Sequence, residues 1–181
     1  MHRVPVVLVW PAWQRLPHGA LAASAVAAIA THQLGRPHEV IGYASLSLAL
    51  LRIGLGIAGP CEARFASFVR GAGATLACAR AVRAAPRHLD HNPLGVWMVL
   101  ALLGVVSLAA GSGALFVTDR FWGLAWLADL HAISSWSLAL LVPLHVAGAI
   151  ATGHAERENL VAAMVHGRKR RASSADVNRT E

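Results

Sequence analysis

The chain has 181 residues, of which 56% are hydrophobic and only 14% charged, and sixteen Lys plus Arg stand against nine Asp plus Glu. A water-soluble domain carries about 25% charged residues and under about half apolar ones, so soluble Rossmann, TIM-barrel and β-sandwich enzymes are excluded. The apolar residues collect in blocks with arginines between them, which is the pattern of a one-domain polytopic membrane protein.

A bilayer core of about 30 Å takes about 20 mainly apolar residues in helix. Four stretches answer to this. The first, about residues 14–32, is Ala-rich from Leu16 to Thr31, with Pro17 suited to a first helical turn. The second, about 38–58, carries one charge, Arg52. The third, about 94–117, is interrupted only by Ser107 and Ser112. The fourth, about 130–153, holds Pro143, which predicts a kink. Between the second and third, Ala63 to Ala85 places Phe65, Phe68, Val69, Leu76 and Val82 among arginines, a pattern for amphipathic helices lying on the membrane surface. Beyond the fourth, Glu156 to His166 reads as a helical extension, ended by Gly167 and the cluster Arg168-Lys169-Arg170-Arg171. The expected architecture is an all-α integral membrane four-helix bundle over residues 1–171, followed by a flexible tail at 172–181.

Basic residues orient the spans. Arg3 and Arg15 precede the first, Arg64, Arg70, Arg80, Arg83 and Arg87 fill the middle loop, and Arg157, Arg168, Lys169, Arg170, Arg171 and Arg179 follow the fourth. The two short loops on the other side hold only Arg36 and Arg120. Both termini are therefore expected in the cytoplasm, and the net charge of +7 follows from this asymmetry without any nucleic-acid partner. Trp10, Trp13 and Trp97 fall near the inner boundary, and Trp122 and Trp126 near the outer one, as an aromatic belt requires.

Ten histidines are an anomaly in so apolar a chain, because ionisable groups inside a membrane are costly and usually functional. His131 and His145 lie fourteen residues apart on the fourth span. At 3.6 residues per turn that spacing returns to within about 40° of the same face after about 21 Å. One face thus offers an imidazole near each side of the bilayer. The partners that share a level are His38 with His131, and His18 with His145. Two level pairs point to two bis-imidazole haems. Zinc is a poorer reading, since nothing supplies a third and fourth ligand at either level. His32, also fourteen residues from His18, is the rival of His38, although the Gly35-Arg36-Pro37 turn makes it a loop or boundary residue.

Arg52 lies fourteen residues after His38, hence on the same face near the inner end of its helix. It suits haem propionates, or it snorkels to lipid phosphates. Gly42, one turn after His38, would let a flat macrocycle approach the helix, or it serves ordinary small-residue helix packing. No Cys-x-x-Cys-His occurs, so covalent haem c is not expected. Cys61 and Cys78, in the cytoplasmic loop, are expected to stay reduced.

The chain resembles the prokaryotic cytochrome b561 family, including small dihaem b-type cytochromes related to hydrogenase cytochrome subunits. The resemblance runs from about Trp10 to Arg171 and rests on several pieces. They are His38-Glu39-Val40-Ile41-Gly42-Tyr43 leading to Arg52, Ala63-Arg64-Phe65 with Phe68-Val69-Arg70-Gly71, and His91-Asn92-Pro93-Leu94-Gly95 with Trp97-Met98. The His131 and His145 pair follows, then Glu158-Asn159-Leu160 with Met164 and Gly167-Arg168-Lys169-Arg170. It implies a four-helix membrane bundle with two non-covalent haems b, ligated by His18, His38, His131 and His145, which favours His38 over His32. Leu16-Pro17-His18-Gly19 departs from the aromatic-flanked histidine usual in the family. The implied function is transmembrane electron transfer in the bacterial inner membrane. The implied partners are the quinone pool and a periplasmic c-type cytochrome or the catalytic subunit of an oxidoreductase. The alternatives are a haem-containing anchor subunit of a quinone-linked oxidoreductase, with His91 and Asn92 as candidates for a quinone pocket, and a haem-free membrane adaptor.

Overall fold

A computed structural model describes residues 6–8, 11–59, 64–65, 93–156 and 159–170. The expected surface helices of the middle loop, His91 with Asn92, both cysteines and the tail from Ser173 lie outside these residues, except for Arg64 and Phe65. Five helices follow in order: α1 (Ala12–Ala30), α2 (Arg36–Ala58), α3 (Pro93–Phe116), α4 (Ala125–Glu156) and α5 (Leu160–His166). Two three-residue strands, β1 (Val6–Leu8) and β2 (Arg168–Arg170), pair antiparallel near the two ends of the chain. By length and composition, α2, α3 and α4 are apolar enough to cross a membrane, and the chain is a membrane protein. Helix α1 spends its first two turns on Gln14, Arg15 and His18, and falls outside that group.

The helix ends explain the register. Pro11, extended at φ −65° and ψ 155°, starts α1, and its carbonyl accepts from the Gln14 and Arg15 N–H groups. The helix therefore begins a turn earlier than its apolar run, and Pro17 lies inside it rather than in the first turn. Gly35 turns the chain at φ 59° and ψ −115°, a region closed to most L-residues, and Pro37 then sits in the first turn of α2. Helix α4 begins at Ala125, five residues before the apolar run that marked its span, because the Leu127 and Ala128 N–H groups already bond the Leu124 carbonyl. It continues through Pro143 to Glu156. The extension beyond it is a separate helix. The side chain of Asn159 caps α5 by accepting from Ala162 N at 2.8 Å, and Gly167 ends it in the left-handed conformation at φ 75°.

Consecutive long helices pack on one another, α1 on α2, α2 on α3 and α3 on α4. Each gives one side chain to a common core of Ala25, Ala49, Val106 and Leu138. Alanines and serines such as Ala25, Ala49, Ala109, Ser45 and Ser112 share the interior with Leu103, Leu127 and Leu138, while Leu50, Ile57, Ile133 and Leu140 are exposed. Small interior residues let backbones approach closely where lipid, not water, covers the outside. Near the chain ends, the Arg15 guanidinium donates to the Val165 carbonyl, which ties the start of α1 to α5.

Candidate functional site

The last turn of α1 has carbonyls that no helical N–H can reach. Two histidines satisfy them. His32, in the exposed turn, donates from Nδ1 to Ile29 O at 3.1 Å, and His38, at the start of α2, donates from Nδ1 to Ala28 O at 3.0 Å. Thr31 N and Thr31 Oγ1 both donate to Ala27 O. Nearly two turns into α4, His131 reaches across to α3 and donates from Nδ1 to Ala109 O at 2.8 Å. A carbonyl can only accept, so each bonded Nδ1 carries a proton, which leaves Nε2 as the nitrogen free to act as a metal donor.

His38 and His131 face each other, with ring centroids 6.0 Å apart and planes at 80°. An imidazole nitrogen lies about 2.0–2.1 Å from a first-row metal ion, so two rings on opposite sides of one ion have centroids roughly 6–6.5 Å apart. The observed pair fits that separation before any side chain moves. The same second nitrogen, hydrogen-bonded to a backbone carbonyl, is the usual outer support of a metal-bound histidine.

Both rings line a cavity of about 360 Å³ between all four long helices. Small residues from every helix line it, such as Ala28, Gly42, Ala109 and Ser135, and Ile29, Val106, Trp136 and Leu138 complete the walls. A Cβ added at Gly42 would meet nothing within 4 Å, so this glycine opens onto the cavity and is not pressed against a neighbouring helix. Ser45 Oγ is buried without a hydrogen-bond partner among the described residues, although it lines the same cavity. A mainly apolar cavity with two imidazoles at this separation is suited to the donor set of a bis-histidine haem. His32 stands at the rim and is exposed, with its Nδ1 already used locally.

The second level lies nearer the chain ends. His145 on α4 and Arg52 on α2 both come within electrostatic range of His18 on α1. The Arg52 guanidinium also lies over the Phe65 ring, 5.7 Å from its centroid. Phe65 occupies the space where a Cβ at Gly56 would be, so the absence of a side chain there lets the aromatic ring close against α2. His154 and His166 are exposed. No group of three or more His, Cys, Asp or Glu able to hold a metal ion occurs among the described residues; the imidazoles come as pairs.

Three features beside His131 were not read from the sequence as functional: the Ala109 carbonyl, Ser112 and Gly113. The only signal was the small-residue run Ala110-Gly111-Ser112-Gly113 in an otherwise bulky apolar span.

Apolar spans that clasp paired imidazoles define the class, a membrane b-type cytochrome working in electron transfer. The family model for prokaryotic cytochrome b561 matches residues 9–167, and the chain belongs to that family. The family implies a b-type haem. No curated protein and no solved structure matches the chain.

Proposed function

We propose that the protein carries electrons across the bacterial inner membrane through two bis-histidine haems b. In this reading His38 and His131 hold the outer haem, and His18 and His145 the inner one. The observation that carries it is the outer pair, two facing rings at 6.0 Å with both Nδ1 atoms committed to carbonyls. The inner pair rests on the meeting of His18, His145 and Arg52 about 21 Å further along α4.

Helix α1 is read as a fourth crossing. The pairing of β1 with β2 and the Arg15 contact to Val165 bring both chain ends together, which an even number of crossings requires. The basic residues at that end favour the cytoplasm.

Haem, when bound, supplies reversible one-electron chemistry. The chain's own residues do the rest. Bonding of Nδ1 to Ala28 O and Ala109 O fixes each ring's tautomer and raises the basicity of Nε2. The alanine-lined walls exclude water. Gly42 leaves clearance for a flat ring, and Arg52 supplies a positive charge for propionates at the inner level. The family favours exchange with the quinone pool and with a periplasmic redox protein such as a c-type cytochrome or an oxidoreductase subunit.

Reconstituted vesicles test this. An impermeant reductant outside should reduce an impermeant acceptor trapped inside only when the protein is present. A rate equal to that of protein-free vesicles overturns the proposal.

A further inference from the structure

The helix between the ligand-bearing helices contains no histidine, yet it makes the closest contacts to His131. The Ala109 carbonyl accepts from His131 Nδ1 at 2.8 Å, while the single proton of Ser112 Oγ is shared between the Leu108 carbonyl at 2.6 Å and the Ala109 carbonyl at 3.0 Å. Ser112 Oγ itself lies 3.5 Å from His131 Nδ1. A Cβ at Gly113 would lie 2.9 Å from His131 Cε1 and 3.0 Å from Nδ1, too close for the ring to stay where it is. Gly113 follows Ala109 by one helical turn, so the missing side chain is what leaves the Ala109 carbonyl reachable from α4.

Resting on the ligand assignment above, we infer that α3 sets the basicity and position of His131 through the shared Ala109 carbonyl, with Gly113 as the clearance and Ser112 as the competing donor. Both are positioning residues; neither touches the iron site. The chemistry gives opposite signs. A stronger hydrogen bond from Nδ1 makes Nε2 a better donor to iron, which favours the oxidised, more positive metal and lowers its potential. Ser112→Ala removes the longer arm of that shared donation, leaves His131 as the one side-chain donor to Ala109 O beside the helix's own Gly113 N–H, and lowers the potential of the outer haem. Gly113→Ala pushes the ring off the carbonyl and raises that potential or, where the ring cannot recover, releases the outer haem alone.

Redox titration and low-temperature EPR of the purified full-length protein decide it, with Ser112→Ala, Gly113→Ala and His131→Ala run together. The inference predicts full haem content with a downward shift in Ser112→Ala. In Gly113→Ala it predicts an upward shift, with a moved low-spin signal, or loss of one haem. Unchanged potential and signal in both variants, or shifts of the same sign, overturn it while His131→Ala still loses a haem. Should Gly113→Ala not fold, the sign of the Ser112→Ala shift decides alone. Retention of both haems in His131→Ala would overturn the ligand assignment itself.

Discussion

Histidine removal should cost haem in units of one, with a pattern set by distance. His38 and His131 face one another at 6.0 Å, so they are two halves of one site. His131 and His145 are separated by fourteen residues of one continuous helix, about 21 Å. Substitutions more than about 7–10 Å apart act independently, whereas residues sharing a partner do not add. The pattern follows. His38→Ala, His131→Ala and the double variant should each retain one haem per chain, because the second substitution attacks a site already lost. His145→Ala or His18→Ala should also leave one, but at the other potential. His131→Ala combined with His145→Ala should leave none. His32→Ala should keep both, since its ring is exposed at the cavity rim while the ring paired with His131 is that of His38. The assay is pyridine haemochrome content per chain with a redox titration of each variant. Loss of both haems in His131→Ala, or of one in His32→Ala, would refute the pairing.

Gly35→Ala places a Cβ on a residue at φ 59° and ψ −115°, immediately before the helix that carries His38. Strain of this kind costs about 1–3 kcal/mol, so thermal unfolding should come at lower temperature, and an unchanged midpoint would contradict the backbone argument. Arg52→Gln removes a positive charge beside His18 and His145; at an effective dielectric near 20 and roughly 10 Å, a unit charge contributes on the order of 2 kcal/mol. The inner haem's potential should fall and the outer one hold, which a spectrally resolved titration reads; equal shifts in both would contradict the placement. Arg15→Ala breaks the tie to the Val165 carbonyl. It should cost about 1.5–3 kcal/mol, the range for a hydrogen bond to a charged group, and should leave haem content untouched.

Three of the four expected spans were legible because a bilayer demands long apolar helices, and composition alone reports these; the Ala-rich first one forms a helix but falls outside the group apolar enough to cross. The spacing of His131 and His145 was legible for the same reason, since helical periodicity converts fourteen residues into one face. What failed to show was whatever depends on backbone rather than side-chain identity. Pro17 looked like a helix start, but the extended Pro11 sets the start six residues earlier. The Glu156 to His166 extension read as continuous, whereas the Asn159 cap begins a new helix. His32 and His38 looked like rivals for one role. The structure gives each a carbonyl of the α1 terminus and turns only His38 toward His131. The Ala109 carbonyl could not be read at all, because any residue there would offer the same oxygen; only Gly113, one turn on, marks it.

The most direct test of the account is the haem-to-chain ratio of the purified full-length protein, by pyridine haemochrome and a reduced-minus-oxidised spectrum. The account predicts two b-type haems per chain. One haem would remove the transmembrane relay and leave a single centre at the His38 and His131 level; none would contradict the assignment of every histidine pair.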